Sequence, residues 1–145
     1  MTKLLVELKR SLGSGLTGFE LMWDSYYNKV LEVLPSLTSP FQESHAYYLL
    51  LEYKDNNQTL GAERFESALF EQLESGLIDD ALIAQSHQDA DKFWQIRDGI
   101  GELFQVLGPV SNQDVSLPLE QIGPFADDLD QRLKAKYNNI GVLLF

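Results

Sequence analysis

The 145 residues suffice for one domain burying about two thirds of its unfolded surface, and 44% hydrophobic with 23% charged residues is a globular composition rather than a disordered one. Eleven basic against twenty-two acidic residues leave a net charge of −11 with no Lys/Arg cluster, which argues against nucleic acid or an anionic membrane surface as partner. With no cysteine, disulfides, thiolate chemistry and Cys-ligated metals are excluded, no apolar run approaches the roughly 20 residues of a spanning helix, and Met1-Thr2-Lys3 does not read as a secretory signal, so a cytoplasmic protein is expected.

The first predicted element is a helix over 3–12, with Leu4, Leu5, Leu8 and Leu12 on one stripe, Lys9 and Arg10 opposite, and Gly13 ending it. Residues 19–23 (FELMW) read as a strand or as the first turn of a helix. The spacing of Tyr27, Val30, Leu31 and Leu34 predicts a helix over 26–34, stopped by Pro35. A Ser/Pro loop follows over 36–45. Residues 47–53 (YYLLLEY), aromatic and nearly all apolar, predict a central strand.

A polar turn around Asn56-Asn57 leads to a helix over 61–75, with Phe65, Leu69 and Leu73 inward, Glu63, Glu66, Glu71 and Glu74 outward, and Gly76 closing it. A short strand is expected around Leu82-Ile83-Ala84. One helix is predicted over 89–107, burying Phe93, Ile96, Ile100, Leu103, Phe104 and Leu107. Residues 114–117 read as a further short strand. A helix from Pro118 to Tyr137 runs through Ile122, Phe125, Leu129 and Leu133; Pro124 belongs near its true start, because an interior proline costs about 3 kcal/mol. The last segment, 140–145, reads as an apolar strand. Alternation of strands and helices suggests a parallel α/β sheet or an α+β layer. The two short strands favour α+β: a ferredoxin-like antiparallel sheet with helices covering one face.

Gly13-Ser14-Gly15-Leu16-Thr17-Gly18 matches G-x-G-x-x-G letter for letter. A dinucleotide fingerprint needs a strand ending at the first glycine and a helix opening by the last. Here the leucine spacing before Gly13 is helical, so a flexible connection is the better account. His45 and His87 are 42 residues apart with no second histidine at helical spacing, and both read as surface loop residues. The doublets Asp79-Asp80 and Asp127-Asp128 read as a turn and a solvated helix surface. Arg97 is different: it stands among apolar helix positions, with Gly99 and Gly101 following where each glycine costs about 1 kcal/mol against alanine. Glycines there suggest a close approach, while the plain alternative is a snorkelling arginine paired with a nearby carboxylate. Residues 112–118 (NQDVSLP) place polar side chains on a short strand before a helix N-terminus.

FWQIRDGIGELF followed by NQDVSLPLEQIGPF resembles the C-terminal substrate domain of the FAD-linked 2-hydroxy-acid dehydrogenases, flavoproteins of the vanillyl-alcohol-oxidase type whose members act on D-2-hydroxyglutarate, D-lactate and glycolate. GFELMW, LLLEY and DDALIAQSHQDADKFWQIR follow the family's order, so the resemblance covers nearly the whole chain. It implies that Arg97 clamps the substrate carboxylate, since a guanidinium offers two parallel donors to a planar anion. It places Gly101 one helical turn on, where the 2-hydroxyglutarate enzymes carry a hydroxyl residue, and Asn112 where they carry a lysine for the distal carboxylate. The resemblance thus implies a different or less charged 2-hydroxy acid. It makes Asp114, Ser116 and Pro118 structural.

In that family the strand matching NIGVLLF leads into a Gly/His segment that binds a divalent metal, and the flavin domain precedes this region. The expectation is therefore that residues 1–145 form a single, incomplete substrate domain of a larger flavoenzyme, with FAD and any metal held by the absent parts. The chain alone would have no catalytic, cofactor-binding or metal-binding residue and would be inactive. The other reading is a non-catalytic α+β module that dimerises through its terminal strand, and a homodimer through an exposed sheet is expected of either.

Overall fold

In the computed structural model the chain forms six helices and one antiparallel pair of strands, an α+β arrangement. The structure describes residues 1–145, the side chain of Gln58 excepted. The elements are α1 (Thr2–Leu12), β1 (Leu16–Trp23), α2 (Asp24–Val33), β2 (Tyr47–Tyr53), α3 (Gln58–Glu74), α4 (His87–Asp98), α5 (Ile100–Val106) and α6 (Ile122–Lys136). The chain divides into two compact units, one of residues 1–21 and 49–95, the other of residues 22–48 and 96–145.

The first unit is built on leucine periodicity. Leu4, Leu8 and Leu12 of α1 are buried together with Ala68 of α3, and Phe19, Leu49, Leu51 and Phe65 pack against them. Each fully buried leucine contributes roughly 1.5–3 kcal/mol over an exposed one. The Tyr53 ring stacks on Phe65, centroids 5.6 Å apart and planes 6° from parallel. Asn57 caps α3 by accepting from the Leu60 N–H at 3.2 Å. At the other end Gly76 takes φ +68°, and the N–H groups of Gly76 and Leu77 return to the carbonyls of Leu73 and Gln72, the paired bonds that close a helix through a left-handed residue. The expected helix over 61–75 thus starts one turn earlier, at Gln58, because Asn57 of the expected turn serves as its cap.

The glycine series has a structural account. Gly13 ends α1 at φ +60°, Gly13–Gly15 form a 3-10 turn, and β1 follows. A Cβ on Gly15 would collide with the Tyr53 ring and fall 2.7 Å from the Lys54 carbonyl oxygen, and one on Gly18 would lie 2.9 Å from the Glu52 Cβ. The order helix, glycines, strand is the reverse of a dinucleotide loop. Across the ladder the Thr17 hydroxyl donates to Glu52 Oε1 at 2.7 Å, and the Lys54 N–H donates to the Gly15 carbonyl at 2.8 Å. The Thr17 bond, then Lys54, holds the Glu52 carboxyl below its ordinary range.

The second unit has an aromatic interior. Tyr26, Val30 and Leu103 are fully buried, with α2 packed on α5. Tyr27 stacks face to face on Tyr48, centroids 3.5 Å apart, and bonds the Ser39 hydroxyl at 3.1 Å. His45, expected to be a solvated loop residue, instead lies edge-on to Phe41 and Tyr48 with its Nε2 buried and no hydrogen-bond partner. His87 lies at the surface as expected, but it opens α4 rather than standing in a loop.

Three expected strands do not form. Residues 82–84, 114–117 and 140–145 enter no ladder, so the layer of the ferredoxin-like expectation consists of β1 and β2 alone. The terminal segment is instead held by one backbone bond, from the Trp23 N–H to the Leu144 carbonyl at 3.1 Å, and by Phe145, which stacks on Tyr26 and stays 46% exposed. The helix expected from Pro118 begins as a 3-10 turn, Leu119–Gln121, and becomes α6 at Ile122, so Pro124 occupies its first turn, where the missing N–H costs nothing. Along α6, Asp128–Arg132 and Asp130–Lys134 form exposed ion pairs at 2.8 and 2.7 Å, worth a few tenths of a kcal/mol each.

Candidate functional site

The second unit holds all three residues the sequence nominates. The helix expected over 89–107 is two helices. Ser86 starts α4, its hydroxyl accepting from the Asp89 N–H at 3.1 Å. At Gly99 the backbone turns (φ −64°, ψ 0°), its N–H reaching back to the Ile96 carbonyl at 3.4 Å, and α5 begins at Ile100. Arg97 therefore stands in the last turn of a helix, where backbone carbonyls lose their in-helix donors and a cation is favoured by the dipole.

A buried tyrosine fills that gap. The Tyr26 hydroxyl, from the first turn of α2, donates to the Arg97 carbonyl at 2.6 Å and lies 3.4 Å from the carbonyl of Ile96. The ring of Tyr26 stacks on Phe145, centroids 4.6 Å apart at 27°. Burial pushes the Tyr26 phenol up to about 12; the Arg97 charge opposes that rise and the Asp98 carboxylate adds to it. The hydroxyl is thus a proton donor throughout the physiological range. Neither Tyr26 nor its role is legible in the sequence, where it reads as one more apolar helix position.

The Arg97 guanidinium is one-third exposed and its Nη1 pairs with Asp98 Oδ1 at 3.0 Å. Asp98 is 61% exposed, and such an ion pair is worth at most about 1 kcal/mol. A guanidinium can also pair with a planar carboxylate through two parallel bonds, a stronger interaction than a single exposed one. Gly101 is exposed in the first turn of α5, and a Cβ there would meet no atom within 4 Å. The space above it is open. Asn112 lies in the exposed irregular stretch 107–118, and the expected junction of strand and helix around Asp114 and Ser116 is not built. Arg97 and Gly101 thus flank the Gly99 turn, while Asn112 stands on no regular element.

Comparison with known proteins gives the family. The family model described as FAD linked oxidases, C-terminal domain, matches residues 1–145. The chain belongs to this family. It is 40% identical over 139 residues to the mitochondrial D-2-hydroxyglutarate dehydrogenase of Arabidopsis thaliana, covering 96% of this chain and 25% of that protein. It is 31% identical over 132 residues to the rat mitochondrial D-2-hydroxyglutarate dehydrogenase, with 91% and 24% covered. The D-2-hydroxyglutarate–pyruvate transhydrogenase of Saccharomyces cerevisiae is 27% identical over 133 residues, with 92% and 27% covered. The chain spans about a quarter of the length of the curated relatives it matches.

The family name implies FAD in the enzymes that carry this domain. The residues here do not fit a nucleotide cradle, because the only glycine series of the fingerprint type is spent on the turn into β1 and on contact with Tyr53 and Glu52. Among the described residues no three or more His, Asp or Glu side chains form a metal-binding group. Among the described residues no helix is long and apolar enough to cross a membrane.

Proposed function

We propose that this chain is the substrate-binding segment of an FAD-dependent oxidoreductase that converts a 2-hydroxy acid to the 2-oxo acid. Its task is to hold the substrate carboxylate on Arg97, beside Gly101 and Asn112, while the flavin and any divalent metal are supplied from outside residues 1–145. Family membership over the whole chain is the observation that carries this reading. The one-third exposure of the Arg97 guanidinium, on a backbone tied to Tyr26, supports it. Gly101 and Asn112 offer no charge to a second carboxylate, which supports a monocarboxylic 2-hydroxy acid such as D-lactate over D-2-hydroxyglutarate. As a further part of the proposal, the chain self-associates: Tyr47 of β2 and Phe145 are about half exposed. The cytoplasmic expectation stands beside relatives named as mitochondrial, and imaging of a tagged protein distinguishes the compartments.

The test uses the reading frame that contains this segment, expressed whole and loaded with FAD. Its flavin is expected to be bleached by D-lactate or D-2-hydroxyglutarate. Arg97→Ala is expected to raise KM for that acid roughly 10- to 100-fold, the worth of a hydrogen bond to a charged group. A flavin that no 2-hydroxy acid reduces, or an Arg97→Ala variant with unaltered KM, sinks the reading. Sedimentation of the 145-residue chain as a monomer at high concentration would remove the self-association part.

A further inference from the structure

We infer that Tyr26 is a positioning residue for the carboxylate clamp: its hydroxyl fixes the Arg97 backbone at the broken end of α4, and its stack on Phe145 ties that point to segment 140–145. The inference rests on the proposed role of Arg97 and adds to it the element that aims the guanidinium.

The end of α4 is a place where the backbone has few ways to stay put. The ladder of α4 stops at Asp98, the Gly99 N–H makes only a long bond to Ile96, and the next helix starts afresh. A side chain whose backbone can rock by about ten degrees swings its guanidinium, some 6–7 Å out, by about an ångström, and misplacement of that order weakens a contact that depends on geometry. The 2.6 Å bond from Tyr26 removes that freedom, and it does so from a residue with no exposed surface at all. Tyr26 is itself held by segment 140–145: the N–H of Trp23, three residues earlier, bonds the Leu144 carbonyl at 3.1 Å, and Phe145 lies against the phenol ring. Packing alone would be served by phenylalanine at position 26. The hydroxyl is required only for the carbonyls of Ile96 and Arg97.

Tyr26→Phe keeps the ring and its stack while deleting the donor. In the FAD-loaded full-length enzyme, with D-lactate and D-2-hydroxyglutarate as probes, it is expected to raise KM roughly fivefold with a smaller change in kcat, the scale of one lost hydrogen bond. The deciding readout is the cycle with Arg97→Ala: in that background Tyr26→Phe is expected to add nothing to KM, because no clamp is left to aim. Additive effects, or an unchanged KM with a lowered Tm, overturn the inference and leave the role of Arg97 intact. An Arg97→Ala variant without a KM defect overturns both. Should Tyr26→Phe fail to fold, Phe145→Leu loosens the ring while leaving the hydroxyl; a KM rise that vanishes with Arg97→Ala supports the inference, and an unchanged KM overturns it.

Discussion

The two units solve the same problem with different materials. The first buries leucines at helical spacing against an antiparallel pair of strands, and its tight points are glycines where backbones meet. The second buries tyrosines whose hydroxyls are each bonded, and it carries long irregular stretches at 107–118 and 137–145. Aliphatic packing tolerates no chemistry but asks for none. Buried phenols cost desolvation unless bonded, and in return they hold backbone at places where a helix has ended. The candidate site lies in the second kind of material.

That contrast can be broken experimentally. The largest effect is expected from Leu8→Ala in the first unit, which should lower stability by about 3 kcal/mol in urea unfolding, since its side chain is fully buried. If the unit could collapse around the gap, the loss would be far smaller. Gly15→Ala comes next, at roughly 1–3 kcal/mol, because its methyl would run into the Tyr53 ring and the Lys54 carbonyl. In the second unit the comparison sharpens with pH. Tyr26 has a folded value of about 12 against an ordinary 10, so the neutral phenol favours the fold. Its contribution is full below pH 10 and is lost as pH rises from 10 to 12. Tyr26→Phe is expected to flatten that part of the stability curve, as read by denaturant titration at pH 9 and pH 11.5. The smallest effect belongs to Asp98→Asn, which removes one exposed ion-pair partner of Arg97 and should move stability by less than about 1 kcal/mol in urea unfolding.

What the sequence discloses is local. The bounds of β2 over residues 47–53 and the helical stretches of α1, α2 and α3 follow from spacing, caps and glycines within a dozen residues. The segments 82–84, 114–117 and 140–145 have strand composition, but a strand exists only when a second segment supplies its ladder, and that partner cannot be read from the segment itself. The break at Gly99 is not legible: the stripe from Phe93 to Leu107 suggests continuity, and Gly99 and Gly101 read as a place of close approach. Phe104 and Phe125, expected inside, are 40% and 37% exposed, because a helix of the right period still needs a neighbour to cover it. Arg97 was visible as an odd residue on an apolar face. Tyr26, 71 residues away, was not: it opens the predicted helix outside the stripe of Tyr27, Val30, Leu31 and Leu34, and nothing local ties it to Arg97 until the chain folds back upon it.

One feature of the second unit serves the experimenter directly. Tyr27 and Tyr48 lie 3.5 Å apart with planes only 7° from parallel, an arrangement in which the transition dipoles of two phenol chromophores couple strongly. Near-ultraviolet circular dichroism should therefore carry a signal dominated by this couple. Loss of ellipticity would follow the melting of the aromatic interior, and set beside the far-ultraviolet signal of the helices it could show whether the two halves come undone together.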